Sequence, residues 1–510
     1  MNQAGFPILS LLTFLPLGGV FYIVTLRGTE AEIARNARFA ALWSSLIGLA
    51  LGIYLWVIFN PAIPGYQMVE TLPWLSGIGV EYRMGVDGIS LFLILLTVFL
   101  TPIAIISSWS ITTRVREFMV AFLLLDTMTI GMFAAADLLV FYIFFEAVLI
   151  PMYLIIGVWG GERRVIAAVK FFLFTLAGSL FMLLAIVWIW RSTGTTDIAT
   201  LLHTRIPPAA QTWLFLAFLA SFGVKAAVWP LHTWLPDAYG EAPLPGTIML
   251  AAVLSKMGAY GFLRFAVPML PQASAVAAPL MFTLGVVAVV YVSYVALAQT
   301  DMKRMIAYSS VAHMGVIIIG IFTFTVEGIE GALFQMLSHG VVIAGLFICT
   351  GVLLARGESL SFSRLGGLAA KMPVYAALLM LFSLGNLGMP GTSGFVGEIL
   401  VIIGAIQVNF WVALLGAAGM VLAAAYMLLL VRKVLFDKQA GPARASLRDL
   451  TVAEYAMLVP LAIMVLWLGI YPISFTRNFA APVQAMVAAH VAALAPTTAP
   501  ATALAMVTTK

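Results

Sequence analysis

The sequence predicts an all-α polytopic membrane protein with about fourteen transmembrane helices. Hydrophobic residues make up 63% of its 510 residues and charged residues only 9%, whereas a soluble domain carries about 25% charged residues. A chain this apolar cannot cover a water-facing surface, so lipid must be its solvent. Its apolar stretches, such as FPILSLLTFLPLGGVFYIVTL, reach the roughly twenty residues that a helix needs to cross a bilayer.

Composition and motifs exclude several other classes of protein. The strands of a membrane β-barrel would alternate apolar and polar residues over roughly ten positions. The apolar stretches of this sequence are longer and continuous, so a barrel is excluded. The single cysteine, Cys349, excludes an internal disulfide and a cysteine-ligated iron–sulfur cluster within the chain. No glycine directly precedes a lysine, so there is no Walker A loop. The net charge of +5 resides in loops, which is typical of membrane topology and not of nucleic-acid binding. We expect no metal and no cofactor in this chain.

Fourteen apolar segments divide the sequence. They are 6–26, 39–59, 87–109, 117–136, 137–159, 165–191, 211–236, 243–266, 277–299, 303–324, 329–355, 372–408, 411–436 and 453–475. The segment 372–408 is long enough for two spans, but its middle reads GNLGMPG. We therefore predict one broken helix there.

The distribution of basic residues supports this count and predicts the topology. Most of the 26 Lys and Arg fall in loops after odd-numbered segments, which the positive-inside rule places in the cytoplasm or matrix. A miscounted segment would scramble the asymmetry from that point onward. Both termini are therefore predicted on the periplasmic or outer side. Residues 480–510, rich in Ala, Pro and Thr, are expected to form a weakly ordered tail.

Seven ionisable side chains stand in the middle of predicted spans, where a charge costs about 2.5–3.5 kcal/mol on insertion scales. They are Asp126, Glu146, Lys225, Lys256, His313, His339 and Glu398. Glu146, within FYIFFEAVLIPMY, requires a buried cation as its partner. A carboxylate held between burial and a nearby cation is easily switched between its charged and neutral forms, which a proton carrier requires. A purely structural ion pair is the alternative.

Two predicted spans combine a buried charge with a helix break. The breaks are predicted at Pro230, Pro236, Gly388 and Pro390. In span 7 the break follows Lys225, and in span 12 it precedes Glu398. Broken helices at membrane depth line polar cavities and mark ion sites in transporters. Lys256, on the next span, lies about ten residues from either helix end, which is too far for its side chain to snorkel to the interface.

This repetition suggests an inverted-repeat transporter, with spans 4–8 corresponding to spans 9–13. We therefore predict a three-span segment in 1–116, a first five-helix repeat in 117–266 and a second in 277–436. A last span occupies 453–475. The positions of the two breaks predict which spans of the two halves correspond. The opposite orientation of the two repeats in the membrane cannot be derived from one sequence.

The remaining polar residues leave alternatives open. His313 and His339 are either hydrogen-bonded packing residues, proton relays between the lysines and Glu398, or ligands of a bis-histidine haem, for which nothing else in the sequence argues. Asp126 either bonds a neighbouring threonine or tunes Glu146 from the adjacent helix. Solvated or capping roles are predicted near span ends for Asp137, Asp237, Glu241 and Asp301.

Four long strings carry a resemblance to a known family. They are FEAVLIPMYLIIGVWGG, FGVKAAVWPLHTWLPDAYGEAPLPGTIMLAAVLSKMGAYGFLRF, AYSSVAHMG and GMPGTSGFVGE. Through them the chain resembles the antiporter-like membrane subunits of respiratory complex I, the NADH:quinone oxidoreductase, and among these the M-type or chain 4 branch. The resemblance extends over nearly the whole chain up to about residue 480.

This resemblance implies a fourteen-span core with two inverted repeats and discontinuous spans 7 and 12. It implies that Glu146 and Lys225 form a pair, that Lys256 is the central lysine, and that Glu398 is the terminal proton carrier. The two histidines match those of a hydrated central axis, and Asp126 stands where the family often has Glu.

The resemblance also implies the setting of the chain. Its partners would be other membrane-arm subunits of complex I, including related antiporter-like chains, in a bacterial cytoplasmic membrane or a mitochondrial inner membrane. NADH, FMN, iron–sulfur clusters and quinone would belong to partner subunits. The rival expectation is a subunit of an Mrp-type cation/proton antiporter, which would use the same buried charges. Relatives of that type usually carry Lys at the position of Glu398, so the M-type branch is favoured.

Overall fold

The chain is mostly helical in the computed structural model, which describes residues 5–75, 77, 79–438 and 447–495. In these ranges, twelve helices are long and apolar enough to cross a membrane. The prediction of a polytopic helical membrane protein is confirmed in this form. The predicted spans 7 and 12 are not among the twelve, and each of them is divided into two helices by a non-helical interval.

The N-terminal part consists of three long helices and a β-hairpin. Its elements are α1 (Ile8–Thr25), α2 (Glu30–Ile58), β1 (Gln67–Leu75), β2 (Val80–Val86), α3 (Gly88–Ser107) and a 3₁₀ turn, Ser108–Ser110. The two strands are antiparallel, with Gln67 opposite Val86 and Leu75 opposite Val80.

The middle of the chain contains several helices that stop or distort inside the bundle. Its elements are α4 (Val115–Ala134), α5 (Leu138–Ala147), α6 (Leu149–Trp159), α7 (Arg164–Thr193), α8 (Ile198–His203), α9 (Pro208–Lys225), α10 (Trp234–Glu241), α11 (Leu244–Met249), α12 (Lys256–Gly261) and α13 (Val267–Met269). Two π-helical segments, Leu250–Leu254 and Phe262–Ala266, join α11, α12 and α13 into one continuous crossing helix.

The last part repeats long helices around a second break. Its elements are α14 (Pro271–Leu297), α15 (Met302–Phe322), α16 (Val326–Ala355), α17 (Leu368–Lys371), α18 (Pro373–Asn386), α19 (Ser393–Val408), α20 (Phe410–Val431) with a π-helical extension Arg432–Phe436, α21 (Val452–Ile470) and α22 (Ile473–Leu494).

The hairpin is an addition to the predicted all-α fold. It is tied to the start of α1 through Glu70, whose carboxylate accepts hydrogen bonds from the backbone N–H groups of Leu9 (2.7 Å) and Ser10 (2.9 Å). A carboxylate at a helix N-terminus satisfies donors that have no partner within the helix. The connection between the first two long helices and α3 is therefore an ordered element and not a simple loop.

The C-terminal tail was predicted to be weakly ordered from residue 480, and this is wrong for its first part. Helix α22 continues to Leu494, while residues 496–510 lie outside the described residues. Phe475, Phe479 and Val483 are buried and recur every four residues, so they form one face of the helix. The ring of Phe475 lies 5.2 Å from that of Phe92 in α3, which fixes α22 against the bundle.

Two of the four acidic residues near predicted span ends, Asp137 and Asp301, cap helices as expected. The carboxylates of Asp137 and Asp301 accept hydrogen bonds from backbone N–H groups in the first turns of α5 and α15. Asp237 pairs with Lys170 (2.7 Å) and Arg304 (3.3 Å). Glu241, the fourth, accepts from the backbone N–H of Arg163 at 3.0 Å, so all four have local structural roles.

A buried ion pair not predicted from the sequence joins α3 to the end of the helix that contains Lys256. Nη2 of Arg264 lies 2.6 Å from Oδ1 of Asp87, and its Nε donates to the hydroxyl of Tyr260 at 3.2 Å. The guanidinium also stands over the ring of Tyr66, 5.0 Å from its centre. Asp87 is the N-cap of α3 as well, so one carboxylate serves two elements.

Replacing Asp87 with alanine is expected to destabilise the fold by about 3–5 kcal/mol, because it leaves a buried guanidinium unpaired. The measurement is the temperature at which the detergent-extracted protein loses its folded state.

The double variant Asp87→Asn with Arg264→Leu is expected to recover much of the loss, since an apolar replacement of a whole buried pair is often neutral. Arg83→Ala, which breaks a more exposed pair with Asp197, is the control and should have a smaller effect. An effect of Asp87→Ala no larger than that of Arg83→Ala would contradict the prediction.

Candidate functional site

The break in predicted span 7 places Lys225 at the end of a helix inside the bundle. Helix α9 ends at Lys225, and residues 226–233 continue without a helix to α10. Pro230 lies in this interval, as predicted, and its peptide bond with Trp229 is cis. Pro236, in contrast, does not form a second break. It lies in the first turn of α10, where a missing N–H removes no intrahelical hydrogen bond.

Glu146 stands next to a further break at Val148, which the sequence analysis did not predict. Helix α5 ends at Ala147 and α6 begins at Leu149. Pro151 cannot donate to the carbonyl of Ala147, which accounts for the interruption. The same reasoning that locates the break at Pro230 applies to Pro151, but the sequence analysis did not extend it to this span.

Glu146 and Lys225 face each other without a hydrogen bond. Among the described residues, neither Nζ of Lys225 nor Oε2 of Glu146 has a hydrogen-bond partner. Nζ of Lys225 instead lies 4.8 Å from the centre of the Phe145 ring, where the negative face of the ring attracts a cation. Ser179 of α7 lies beside the Glu146 carboxylate. The two groups are therefore neighbours, a buried Lys225 and a partly buried Glu146, and they are not hydrogen-bonded to each other.

Lys256 is fully buried between the two π-helical segments. Its ammonium lies 2.6 Å from the carbonyl oxygen of Ala251 and 3.3 Å from Oγ of Ser255, and donates to both. It also lies 2.6 Å from Nδ1 of His339 on α16, 83 residues away in sequence. π-Helical turns inside long helices frequently mark functional sites.

The two predicted histidines continue from Lys256 toward Glu398. The rings of His339 and His313 are 5.2 Å apart, centre to centre, which is too close for a porphyrin to lie between them. Nδ1 of His313 lies 3.2 Å from Oε1 of Glu398. Glu398 is buried on α19, directly after the second break. Lys256, His339, His313 and Glu398 thus form a continuous row of titratable groups, which we name the central row.

Gly388 allows the second break to approach the end of this row. Residues 387–392 separate α18 from α19, and Gly388 adopts a φ of 72°. A Cβ atom at this position would lie 2.5 Å from Oε2 of Glu398, so any other residue would displace the carboxylate. Pro390 lies in the same interval, as predicted.

A small cavity adjoins Glu398 at the end of the central row. Its volume is about 20 Å³, which is enough for one water molecule. His313, Glu398, Ser293 and Tyr426 are the polar residues in its lining. The Tyr426 hydroxyl and Oε2 of Glu398 have no hydrogen-bond partner among the described residues. Such atoms suit a site at which a proton reaches or leaves the carboxylate through water.

Asp126 lies apart from the central row. Its Oδ1 accepts a hydrogen bond from the Thr101 hydroxyl on α3 at 2.7 Å. Of the two alternatives left open by the sequence, the structure shows the bond to threonine. That bond joins α3 to α4.

Several residues near the site were missed by the sequence analysis. Gln335 contacts both His313 and Glu398, Phe145 contacts Lys225, and Tyr426 lines the terminal cavity. His232, in the break after Lys225, is buried with its Nδ1 unpartnered. A signal existed for Gln335, because it precedes His339 by four residues and so shares its helix face. Within the described residues, no group of three His, Cys, Asp or Glu side chains could hold a metal ion.

The fold and the site define a class: polytopic helical membrane proteins in which buried ionisable side chains accompany interrupted helices. Comparison with known proteins gives the family. The chain belongs to the family of NADH:quinone oxidoreductase and Mrp antiporter membrane subunits, whose model matches residues 135–435, and within it to the subunit M or chain 4 branch, whose amino-terminal model matches residues 44–132.

Individual relatives agree with this assignment. The chain is 48% identical over 494 residues to NADH-quinone oxidoreductase subunit M of Rhodobacter capsulatus, covering 94% of this chain and 96% of the relative. It is 43% identical over 481 residues to NADH-ubiquinone oxidoreductase chain 4 of Marchantia polymorpha, covering 94% and 97%.

Two solved structures have similar folds. One is a chain of respiratory complex I from Thermus thermophilus, with a TM-score of 0.86 and 31% identity over 94% of this chain and 99% of that one. The other belongs to an archaeal membrane-bound sulfane sulfur reductase, with a TM-score of 0.80 and 26% identity over 92% and 77%.

Proposed function

We propose that this chain translocates protons across the membrane as one antiporter-like subunit of an NADH:quinone oxidoreductase. The observation that carries the proposal is the central row, in which Lys256, His339, His313 and Glu398 follow one another in a bundle otherwise dominated by apolar side chains. Charged groups are rare inside membranes and mark ion or proton pathways. The family of the chain supports the assignment to this type of enzyme complex.

In the proposed mechanism, a proton moves along the row in the plane of the membrane. The ammonium of Lys256 passes a proton to Nδ1 of His339, with which it is already in contact. The proton then crosses between the imidazoles and reaches Glu398 from His313. Each transfer forms one N–H or O–H bond as another breaks, and the chain itself undergoes no oxidation or reduction. The energy must come from partner subunits through changes of charge or shape.

Glu146 and Lys225 form the proposed switch at the other end. When the pair closes, the carboxylate stabilises the ammonium and Lys225 takes up a proton. When the pair opens, Lys225 loses this stabilisation and its proton moves toward Lys256. At about 4 Å and an effective dielectric near 20, the pair would interact by about 4 kcal/mol, which corresponds to a roughly thousandfold change in proton affinity.

The architecture proposed for this mechanism has fourteen spans. The interrupted segments around 211–236 and 372–408 would each cross the membrane once, and spans 4–8 and 9–13 would form two inverted repeats. Both termini would lie on the periplasmic or outer side of a bacterial cytoplasmic membrane, or alternatively of a mitochondrial inner membrane. Neighbours would be other membrane-arm subunits, including related antiporter-like chains. NADH, FMN, iron–sulfur clusters and quinone would be held by partner subunits.

A tagged version of the chain, extracted in mild detergent, is expected to migrate on a native gel with a large band that oxidises NADH. Vesicles containing that assembly should develop a ΔpH on addition of NADH and quinone. An Mrp-type cation/proton antiporter is the second candidate, because its subunits share the matched family model. Migration in a smaller assembly without NADH oxidation, with Na⁺- or K⁺-dependent collapse of a ΔpH, would replace the proposal by this second candidate.

A further inference from the structure

Gln335 bridges the last two groups of the central row. It lies on α16 and is 1% exposed. Its Nε2 is 3.2 Å from Nδ1 of His313 and 3.2 Å from Oε1 of Glu398. We propose that Gln335 is a positioning residue whose amide turns with each proton transfer from His313 to Glu398. This inference rests on the proposed function and extends it to the control of the final step.

The present contacts define the first of two states. An amide NH₂ group has two N–H donors and no acceptor, so it can donate at the same time to the imidazole and to the carboxylate. In the first state that we propose, Nδ1 of His313 accepts from this amide, and the ring therefore carries its hydrogen on Nε2. In this proposed state the charge lies on Glu398, whose Oε1 accepts from the same amide. This state is ready to receive a proton and cannot pass one directly from Nδ1.

The arrival of a second proton on His313 creates the other state. An N–H bond of His339 breaks as an N–H bond forms at Nδ1 of His313, and Nδ1 can no longer accept from the Gln335 amide. Because Nδ1 is already 3.2 Å from Oε1 of Glu398, it can donate to the carboxylate directly. The NH₂ group of Gln335 must turn away from Nδ1 of His313. This rotation brings Oε1 of Gln335 into the position of an acceptor. The proton then transfers: the N–H bond of His313 breaks, an O–H bond forms on Glu398, and both groups become neutral.

The packing around the amide leaves its oxygen available for this role. Oε1 of Gln335 is buried and has no hydrogen-bond partner among the described residues. It faces Gly397 on α19, where a Cβ atom would come within 2.5 Å of it and within 2.8 Å of the Gln335 backbone nitrogen. The glycine therefore provides the space in which the amide lies. A buried polar atom without a protein partner calls for an explanation, and an amide with a second arrangement supplies one.

The test uses the assembled complex in sealed native membranes. The variant is Gln335→Leu, and the measurements are coupled NADH:quinone turnover across a range of pH, proton pumping by fluorescence quenching, and NADH oxidation with an artificial acceptor to report assembly. Without the amide, His313 and Glu398 pair directly and retain their shared proton. Coupled turnover is expected to fall about tenfold, as for loss of one hydrogen bond to a charged group. Its pH optimum should move up by about one unit, since release then requires a lower proton concentration.

Gln211→Leu is the matched control for loss of a buried glutamine. Gln211 donates to the Ile206 carbonyl and accepts from the backbone N–H of Gln272, so its removal can reduce assembly but should leave the pH optimum unchanged. If the complex with Gln335→Leu fails to assemble, the isosteric variant Gln335→Glu is used to test the inference. A second carboxylate beside Glu398 holds a proton between the two groups, so the optimum should again move up.

Three outcomes are distinguishable. An alkaline shift in a Gln335 variant, with none in the control, supports the inference. An unchanged rate and pH optimum in the assembled Gln335 variant overturn it, provided that Glu398→Gln abolishes coupled turnover. If Glu398→Gln itself retains normal coupled turnover and pumping, the proposed function fails at this site, and the inference fails with it.

Discussion

Lys256→Met is expected to abolish coupled NADH:quinone turnover and proton pumping while leaving the assembled complex intact. Methionine has a similar length and an apolar end, so it can fill the space of the fully buried side chain. It cannot donate a proton to Nδ1 of His339, which lies 2.6 Å from the lysine nitrogen. Because the row would be interrupted at its first member, the expected loss is at least about hundredfold, equivalent to about 2.7 kcal/mol in the barrier.

The control for this prediction is Lys303→Met. Lys303 is a largely buried lysine on α15, and its ammonium donates to the carbonyl oxygens of Gly240 (2.9 Å) and Ala242 (3.0 Å). It contacts no member of the central row, so this variant is expected to affect assembly more than coupling. The measurements are NADH oxidation with an artificial acceptor, coupled turnover and ΔpH formation. Pumping at the normal rate by an assembled Lys256→Met complex would show that protons do not pass through this lysine.

Much of the fold could be predicted because membrane helices have a simple sequence signature. Long apolar runs gave the helices, and the rule that proline removes a helix hydrogen bond located the break at Pro230. The same rule failed at Pro236, because its outcome depends on where a new helix begins. It was not applied to Pro151, where it would have revealed the interruption beside Glu146. The hairpin was missed because its stability depends on the contact of Glu70 with α1, sixty residues away.

The charged members of the site were visible for a different reason. A lysine or glutamate in an apolar run stands out, and Lys225, Lys256 and Glu398 are all buried where the sequence placed them. Gln335 has no charge, and its importance arises only from two residues on other helices. The contact between Lys256 and His339 could not be predicted either, because it depends on how two distant helices pack. Sequence reasoning therefore supplied the groups but not their order.

The second large effect on coupled turnover is expected at the pair of Glu146 and Lys225. Lys225→Ala and Glu146→Ala should each abolish pumping-coupled turnover, because either change removes the charge that drives opening and closing. The structure adds a third position. Phe145 holds the Lys225 ammonium at 4.8 Å from its ring centre, and a cation–π contact of this kind contributes about 0.5–2 kcal/mol. The ring therefore stabilises the open arrangement in which the lysine has no carboxylate partner.

Phe145→Leu should shift the pair toward its closed arrangement and reduce coupled turnover only partly, by about twofold to thirtyfold. Coupled turnover and ΔpH formation are measured in membranes in which the variant complex is assembled. The graded result is informative, because the leucine changes no titratable group, whereas the two alanine variants remove one each. Near-normal pumping in both Lys225→Ala and Glu146→Ala would exclude the pair as the switch. A complete loss of coupled turnover in Phe145→Leu would instead mean that the ring has a further role besides holding the Lys225 ammonium. A weak cation–π contact cannot account for a complete loss.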